Sequence, residues 1–236
     1  MTAREVRDRL RELVSPEAAA MAARFFKTGP GQYGEGDIFL GLRAAEMHRL
    51  AKEFQTLALE ELRVLLQSEI HEDRLLALLI MVRRVLRAEE ATRKAVYDLY
   101  LASTRHVNNW DLVDASAREI VGGYLADKSR EPLDRLARSS SLWERRISIV
   151  ATHYFIRQND LADTIRIAER LLADHEDLIH KAVGWMLREV GKKHQPTLES
   201  FLKRHGKVMP RTALRYAIER FPTDLRRAYL DGSACR

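Results

Sequence analysis

Apolar residues recur at helical spacing along almost the whole chain, and this pattern limits the possible folds more than any other feature. Val6, Leu10, Leu13 and Val14 lie at positions i, i+4, i+7 and i+8, which places them on one face of a helix. The same spacing recurs in "DRLLALLIMVRRVL", "TIRIAERLL" and "LIHKAVGWMLREVGKK". No segment alternates apolar and polar residues between turns, as a half-buried strand would. The sequence therefore predicts an all-α protein with many short helices.

Three tryptophans near the starts of predicted helices indicate a repeat. They lie in "NNWDLVD", "SLWERRI" and "VGWMLRE", and successive tryptophans are 33 and 42 residues apart. These separations bracket the period of HEAT-like helical repeats. We predict a right-handed solenoid of HEAT-like antiparallel helix pairs with a concave, basic groove. The predicted single domain spans residues 1–236, with residues 232–236 as a flexible tail.

Two of these tryptophans are each followed by an arginine three positions later. Arg146 follows Trp143 in this way, and Arg188 follows Trp185, whereas the segment that begins at Trp110 carries the acid Asp114. Equivalent helices of a solenoid line its concave surface, so the pattern predicts a row of aromatic and basic groups. A carboxylate on such a surface repels a polyanion, so Asp114 requires a separate explanation.

Charge and cysteine content narrow the class of protein. The chain carries 40 Lys and Arg against 34 Asp and Glu, a net charge of +6, which is compatible with a nucleic-acid partner without requiring one. The one cysteine cannot form an internal disulfide, and "MTAREVRDRLREL" lacks the apolar core of a signal peptide. The longest apolar run, in "RLLALLIMVRR", is too short to span a membrane. We expect a cytoplasmic protein that does not associate with membranes.

Several familiar motifs are absent or incomplete. "GPGQYG" at residues 29–34 matches G-x-G-x-x-G, but a predicted helix precedes it and Pro30 lacks an amide proton. We interpret residues 28–37 as a flexible loop that can touch a ligand. His71 and His180 are interpreted as surface or groove-edge residues, because the histidines show no metal-ligand spacing. Walker and G-x-S-x-G motifs are also missing. We predict neither a metal nor a cofactor.

Individually, the candidate site residues have ordinary structural interpretations. Ser141 and Glu144 fit a helix-capping box, and an Arg145–Arg146 pair more often belongs to a solvated helix face than to a phosphate site. A lone Trp110 is more commonly a packed aromatic than a ligand contact. The functional interpretation depends on these segments occurring together.

Taken together, "HVNNWDLVD", "SSLWERRI" and "LIHKAVGWMLRE" resemble the signature segments of the AlkD-type DNA glycosylases. These are HEAT-like repeat proteins of DNA alkylation repair. The resemblance extends from "MAARFFK" to "PRTALRYAIERF", which is most of the chain. It implies binding of duplex DNA and hydrolysis of the N-glycosidic bond of alkylated purines such as 7-methylguanine and 3-methyladenine.

The resemblance also implies roles for individual residues. The catalytic tryptophan and aspartate of the family fall on Trp110 and Asp114, and a second cleft tryptophan falls on Trp185. An arginine that contacts the DNA backbone falls on Arg146. We add two basic residues to the predicted DNA-binding set: Arg145, which is adjacent to Arg146, and Arg188, which follows Trp185 as Arg146 follows Trp143. Trp143 is interpreted as packing within its repeat.

This chain departs from the family pattern at two positions. The third cleft aromatic of the family is a tyrosine, and Phe25 stands in its place, which removes the hydroxyl but keeps the ring. A glutamine of the family is matched by Arg43, which can alter contacts with a DNA strand. Both residues are included among the predicted DNA contacts.

The pairing of a ring with an acid has a chemical reason. Excision of a base leaves positive charge on the sugar, which a nearby carboxylate and the negative faces of aromatic rings both stabilise. No lysine adjoins the Trp110–Asp114 motif to form a Schiff base, so we predict a monofunctional enzyme. The predicted partner is double-stranded DNA containing alkylated purines, and we expect a monomer with no obligatory protein partner.

Two other classes of function remain open from the sequence. Helical-repeat proteins also bind damaged or branched DNA without catalysis, although those that do so have lost the acid. HEAT-like solenoids commonly serve as protein-interaction scaffolds, which would predict an apolar or acidic concave surface rather than a basic one.

Overall fold

The structure is a computed structural model that describes residues 1–235, with fifteen α-helices in that range. The first seven are α1 (Ala3–Arg11), α2 (Pro16–Phe25), α3 (Ala44–Glu53), α4 (Leu59–Leu66), α5 (His71–Val85), α6 (Glu90–Ala102) and α7 (Trp110–Ala117). The others are α8 (Glu131–Ala137), α9 (Leu142–Ala151), α10 (His153–Arg157), α11 (Ala162–Leu171), α12 (Asp177–Lys193), α13 (Gln195–His205), α14 (Arg211–Ala217) and α15 (Thr223–Asp231).

Short irregular helical segments complete the secondary structure. Thr104–His106 and Ser233–Cys235 form 3₁₀ turns, and Arg118–Gly122 forms a π-helical turn. Within residues 1–235 there is no strand, only an isolated parallel bridge between Ile38 and Ile70. The prediction of an all-α fold is therefore confirmed.

Helix starts follow the capping residues expected from the sequence. The hydroxyl of Ser15 accepts a hydrogen bond from the amide of Ala18 at 3.4 Å, and Pro16 occupies the first turn of α2. Similarly, the hydroxyl of Ser141 accepts from the amide of Glu144 at 3.5 Å at the start of α9.

The helices form two compact units, residues 1–124 and the residues from Leu125 onward. In the first unit, α5 is central and packs against α3, α4, α6 and α7. Because the helix is surrounded by neighbours, five of its apolar residues are fully buried: Leu76, Ala77, Leu78, Ile80 and Met81. This packing supports α7, which carries the first candidate site residues.

In the second unit, α12 is central and packs against α9, α11, α13 and α14. A side-chain carbon added at Gly184 would lie 2.4 Å from the carbonyl oxygen of Ala213 in α14. Glycine at this position therefore permits the close approach of α12 and α14, which sets the position of the next residue, Trp185.

Among residues 1–235, no helix combines the length and apolar character that crossing a membrane requires. The solenoid, its groove and the single domain remain predictions. Of the predicted tail, residues 233–235 lie in a 3₁₀ turn, and Arg236 lies outside the described residues.

Candidate functional site

Helix α7 presents Trp110 and Asp114 one helical turn apart, so both side chains lie on the same face. Both residues are half-buried. The helix begins at Trp110 because Asn109 is its N-cap, with extended backbone and a side-chain oxygen that accepts from the amide of Trp110 at 2.8 Å. The tryptophan is thus held at the first position of the helix.

A buried network of charged groups fixes the start of α7. Nε2 of His71 lies 2.8 Å from a carboxylate oxygen of Asp111, and Nδ1 lies 3.1 Å from Asp37. The guanidinium of Arg74 contacts the other oxygen of Asp37 at 2.6 Å, and the side-chain amide of Asn109 donates to Asp37 at 3.3 Å. Since His71, Arg74 and Asp37 are almost fully buried, the network has little freedom to rearrange.

The interpretation of His71 as a surface or groove-edge histidine is wrong. Only 2% of the residue is exposed, because it lies between α7 and the segment that carries Asp37. Burial by itself lowers the pKa of His71, but the hydrogen bonds to Asp111 and Asp37 outweigh burial and raise that pKa. Burial would raise the pKa of Asp37, yet the partners His71 and Arg74 lower it.

Protonated His71 should stabilise the fold in a pH-dependent way. Its folded pKa is raised, so its stabilisation is fully present below the unfolded pKa and is lost as the pH rises through the folded pKa. Asp37, with a lowered pKa, stays ionised throughout this range. We therefore expect the free energy of unfolding of wild type, relative to His71→Gln, to fall between pH 6 and pH 9. Urea unfolding of both proteins at each pH measures this difference, and an equal difference at both pH values would contradict it.

An aromatic stack connects this network to Trp110. The ring centroid of His71 is 4.5 Å from that of Phe39, Phe39 is 5.1 Å from Phe26, and Phe26 is 5.2 Å from Trp110. The Phe39–Phe26 and Phe26–Trp110 pairs are close to parallel. Phe25 contacts Trp110 in an edge geometry at 5.8 Å. The indole is therefore supported by packed rings rather than projecting alone from α7.

The two residues that depart from the family pattern are both exposed. Phe25, the last residue of α2, is 65% exposed although its ring touches Phe26 and Trp110. Arg43 is the N-cap residue of α3, and its backbone amide donates to the carboxylate of Glu46 at 2.8 Å. The structure thus brings Phe25 to Trp110 and leaves the side chain of Arg43 at the surface.

Asp114 is close enough to a buried polar pair between α6 and α7 to act on it electrostatically. The hydroxyl of Tyr100 is 3.0 Å from that of Ser116, which in turn donates to the carbonyl of Leu112. Burial raises the pKa of Tyr100, and the negative charge of Asp114 raises it further. The π-helical turn Arg118–Gly122 follows α7 directly, a feature often found at functional sites.

In the second unit, Trp185 is half-buried on α12. Its ring contacts the ring of His153 at 5.8 Å in an edge geometry. Glu189 follows Trp185 by one turn, and although burial raises its pKa, Lys192, His153 and Arg188 together lower it. Trp185 therefore has an imidazole and a carboxylate as near neighbours.

Arg145 is engaged within the protein. Its Nε atom lies 2.6 Å from a carboxylate oxygen of Asp174, and its terminal nitrogen donates to the carbonyls of Ser139 and Ser140 at 3.0 and 2.9 Å. These contacts tie the start of α9 to the segment before α12. They account for Arg145 structurally, and its contact with DNA remains a prediction.

The other two predicted basic contacts of this unit also have internal partners. Arg146 is 4% exposed and donates to the carbonyl of Leu178. Arg188 pairs with Glu219 and lies 3.5 Å from Glu189. A phosphate contact by either guanidinium would have to use the donors that these interactions leave. Their DNA-binding roles likewise remain predictions.

The sequence indicated neither the charged network around His71 nor the contact of the Tyr33 hydroxyl with Trp110. Nε1 of Trp110 donates to the hydroxyl of Tyr33 at 3.3 Å, and Tyr33 belongs to the "GPGQYG" segment, which matches G-x-G-x-x-G without the strand that a dinucleotide site requires. Asp111 lies within "NNWDLVD", so its position was the one available signal for the network. Across residues 1–235 no group of three or more metal-ligating side chains converges.

Comparison with known proteins places the chain in a family. A family model described as "DNA alkylation repair enzyme" matches residues 6–221. The chain belongs to this family. The resemblance of the signature segments to AlkD-type proteins is thereby confirmed. No curated protein matches the chain.

A solved structure has the same fold. It is the structure of a predicted DNA alkylation repair enzyme from Enterococcus faecalis, and it aligns with 89% of this chain and 97% of its own, with a TM-score of 0.68. The two sequences are 22% identical over this alignment, so the similarity establishes the shared fold and nothing finer.

Proposed function

We propose that this protein is a monofunctional DNA glycosylase that removes cationic N-alkylated purines from duplex DNA. The observation that carries the proposal is the shared face of α7, where a supported indole and a carboxylate lie one turn apart in a DNA alkylation repair enzyme. Both stabilise a positively charged sugar.

In the proposed reaction, the bond between C1′ of the deoxyribose and the purine nitrogen breaks, and its electron pair leaves with the base. The departing purine becomes neutral, and positive charge develops on the sugar. Water adds to C1′ and passes a proton to the carboxylate of Asp114, from which it reaches solvent. The products are a free base and an abasic site, with both DNA strands intact.

The aromatic residues have a matching role in this proposal. The indole of Trp110 presents its π electrons to the cationic sugar, and Phe26 supports it from behind. Phe25 offers a second, exposed ring beside Trp110. From the family resemblance alone, we also assign Trp185 as an aromatic neighbour of the sugar.

Binding of duplex DNA is supported by the positive charge of the chain, which is +6 at pH 7. Arg43 is exposed and lies at the start of α3, so its guanidinium can meet a phosphate without breaking an internal contact that the structure shows. We retain Arg146, Arg188 and Arg145 as proposed backbone contacts, although each also bonds within its own unit.

The direct test is incubation of the purified protein with a duplex that carries one 7-methylguanine. We expect free 7-methylguanine to be released, and we expect the modified strand to break only after treatment with hot alkali. Chromatography detects the base, and a denaturing gel with and without alkali distinguishes an abasic site from a cut strand.

Two outcomes would contradict the proposal in different ways. Tight binding without base release would indicate a non-catalytic protein that binds damaged DNA. Strand breakage without alkali would mean that the enzyme also has lyase activity, which the absence of a lysine beside Trp110 and Asp114 does not predict.

A further inference from the structure

The segment between α2 and α3 that spans residues 28–37 forms hydrogen bonds within itself and to the end of α2. The amide of Gly34 donates to the carbonyl of Lys27 at 3.2 Å, and the amide of Asp37 donates to the carbonyl of Gly34 at 3.1 Å. Side chains close two smaller turns within it, since Gln32 accepts from the amide of Gly29 at 3.0 Å. The carboxylate of Glu35 likewise accepts from the amide of Gly31 at 2.8 Å. These bonds give the segment a defined path.

Gly34 lets this segment pack tightly against α2. A side-chain carbon at this position would lie 2.4 Å from the carbonyl oxygen of Phe26, closer than such contacts ever occur. Lys27 turns the chain at the end of α2 with a φ of 54°, in the left-handed region. The tight turn and the close approach place the intervening residue Tyr33 over the edge of Trp110.

The contact between Tyr33 and Trp110 determines which way the indole faces. Stacking on Phe26 is compatible with two ring orientations about the bond that joins the indole to the side-chain carbon. Those orientations place the N–H edge on opposite sides. The hydrogen bond from Nε1 to the hydroxyl of Tyr33, at 3.3 Å, is satisfied in one of them.

The same segment also anchors the backbone beneath this ring. Asp37, a few residues after Tyr33, accepts from the side chain of Asn109 and pairs with His71 and Arg74. One segment therefore holds both the N-cap of α7 and the N–H edge of its first residue.

We propose that Tyr33 is a positioning residue for base excision, acting through the orientation of the Trp110 indole. This inference rests on the proposed glycosylase function, because its kinetic consequence is read from base release. It assigns to the "GPGQYG" segment a role that does not involve binding a nucleotide.

The kinetic test is a double-mutant cycle on the release of 7-methylguanine under single-turnover conditions. Tyr33→Phe keeps the ring and removes the acceptor, so we expect the rate to fall by roughly threefold to tenfold, the usual effect of one neutral hydrogen bond. The dissociation constant for DNA should not change. In a Trp110→Phe background, which lacks the N–H donor, Tyr33→Phe should have no further effect.

A loss of the same size in both backgrounds would overturn the proposal, since it would show that Tyr33 acts independently of the indole. Unchanged excision by Tyr33→Phe alone would overturn it as well. Tyr124→Phe is the matched control, because Tyr124 lies in the same unit and stacks on Tyr97 rather than on Trp110.

A second measurement does not depend on excision. In a protein in which Trp143 and Trp185 are replaced by phenylalanine, Trp110 is the sole source of tryptophan fluorescence. We expect Tyr33→Phe to make this fluorescence more easily quenched by acrylamide, while the urea midpoint stays within experimental error of its parent. Unchanged quenching would overturn the positioning role. If wild type released no base but quenching rose as expected, the glycosylase proposal would fail while the contact between Tyr33 and Trp110 stood.

Discussion

Replacing Asp114 by asparagine is expected to slow the release of 7-methylguanine by roughly 10²-fold or more, the usual loss when one electrostatic stabiliser of a transition state is removed. Asparagine keeps the size of the side chain and removes its negative charge. The stacking of Trp110 on Phe26 and its hydrogen bond to Tyr33 should remain, because neither contact involves Asp114. What is lost is the charge that favours a cationic sugar and accepts a proton from water.

DNA binding by this variant should be as tight as that of wild type or tighter. Asp114 is an acid, and its charge repels the phosphates of the substrate, so its neutralisation removes a repulsion. The combination of slower excision with undiminished binding separates a catalytic carboxylate from one that merely maintains the structure.

Single-turnover base release and an equilibrium binding titration, both with the same modified duplex, measure the two effects. Asp98→Asn is the matched control, because Asp98 is an exposed carboxylate on α6 whose partner is Lys94. Urea unfolding checks that the Asp114 variant retains the packing of α6 against α7 at Tyr100 and Ser116. Near-normal excision by a folded Asp114→Asn variant would remove this residue from the proposed mechanism.

Local sequence signals predicted the helices and the chemistry of α7. Ser15, Pro16 and Ser141 mark helix starts because a capping interaction spans only a few residues and is visible in the sequence. The shared face of Trp110 and Asp114 follows from helical spacing alone. Predicting these features required no knowledge of tertiary structure.

The environment of α7 depends on residues that are distant in the sequence. Asp37, His71 and Asp111 meet in space, yet 34 residues separate the first pair and 40 separate the second. A histidine at the start of an amphipathic helix is normally exposed, so nothing local indicated that two carboxylates would enclose His71. The contact of Tyr33 with Trp110 spans 77 residues and depends on a turn that Gly34 permits.

The basic residues of the second unit illustrate the same limit. Arg145 and Arg146 lie side by side in the sequence, which indicates positive charge but not its partner. Their partners come from about thirty residues later in the chain: Asp174 lies between α11 and α12, and the carbonyl of Leu178 lies in the first turn of α12. Sequence patterns identify donors, whereas the fold decides how many of those donors are already used.

Selectivity for cationic lesions follows from the part of the substrate that the proposed site stabilises, which is the sugar rather than the departing base. In the proposed mechanism, Trp110 and Asp114 both stabilise the sugar, and neither protonates the departing base. A purine alkylated at N7 or N3 carries a positive charge and leaves as a neutral molecule, so it requires no proton from the enzyme. Neutral bases such as uracil leave poorly unless they are protonated or held in a pocket of matched hydrogen bonds. The charge of the lesion would therefore supply the part of catalysis that these side chains do not.

We accordingly expect release of 7-methylguanine and 3-methyladenine from duplex DNA, with uracil and unmodified purines released no faster than in the absence of protein. A panel of duplexes that differ in one base, assayed under single-turnover conditions with parallel incubations without protein, measures this selectivity. The incubations without protein correct for spontaneous loss, which is largest for the cationic purines. If uracil were released as fast as 7-methylguanine, stabilisation of the sugar would not account for the choice of substrate. The protein would then need a group that holds or protonates the departing base, and replacing Asp114 should slow the two reactions unequally.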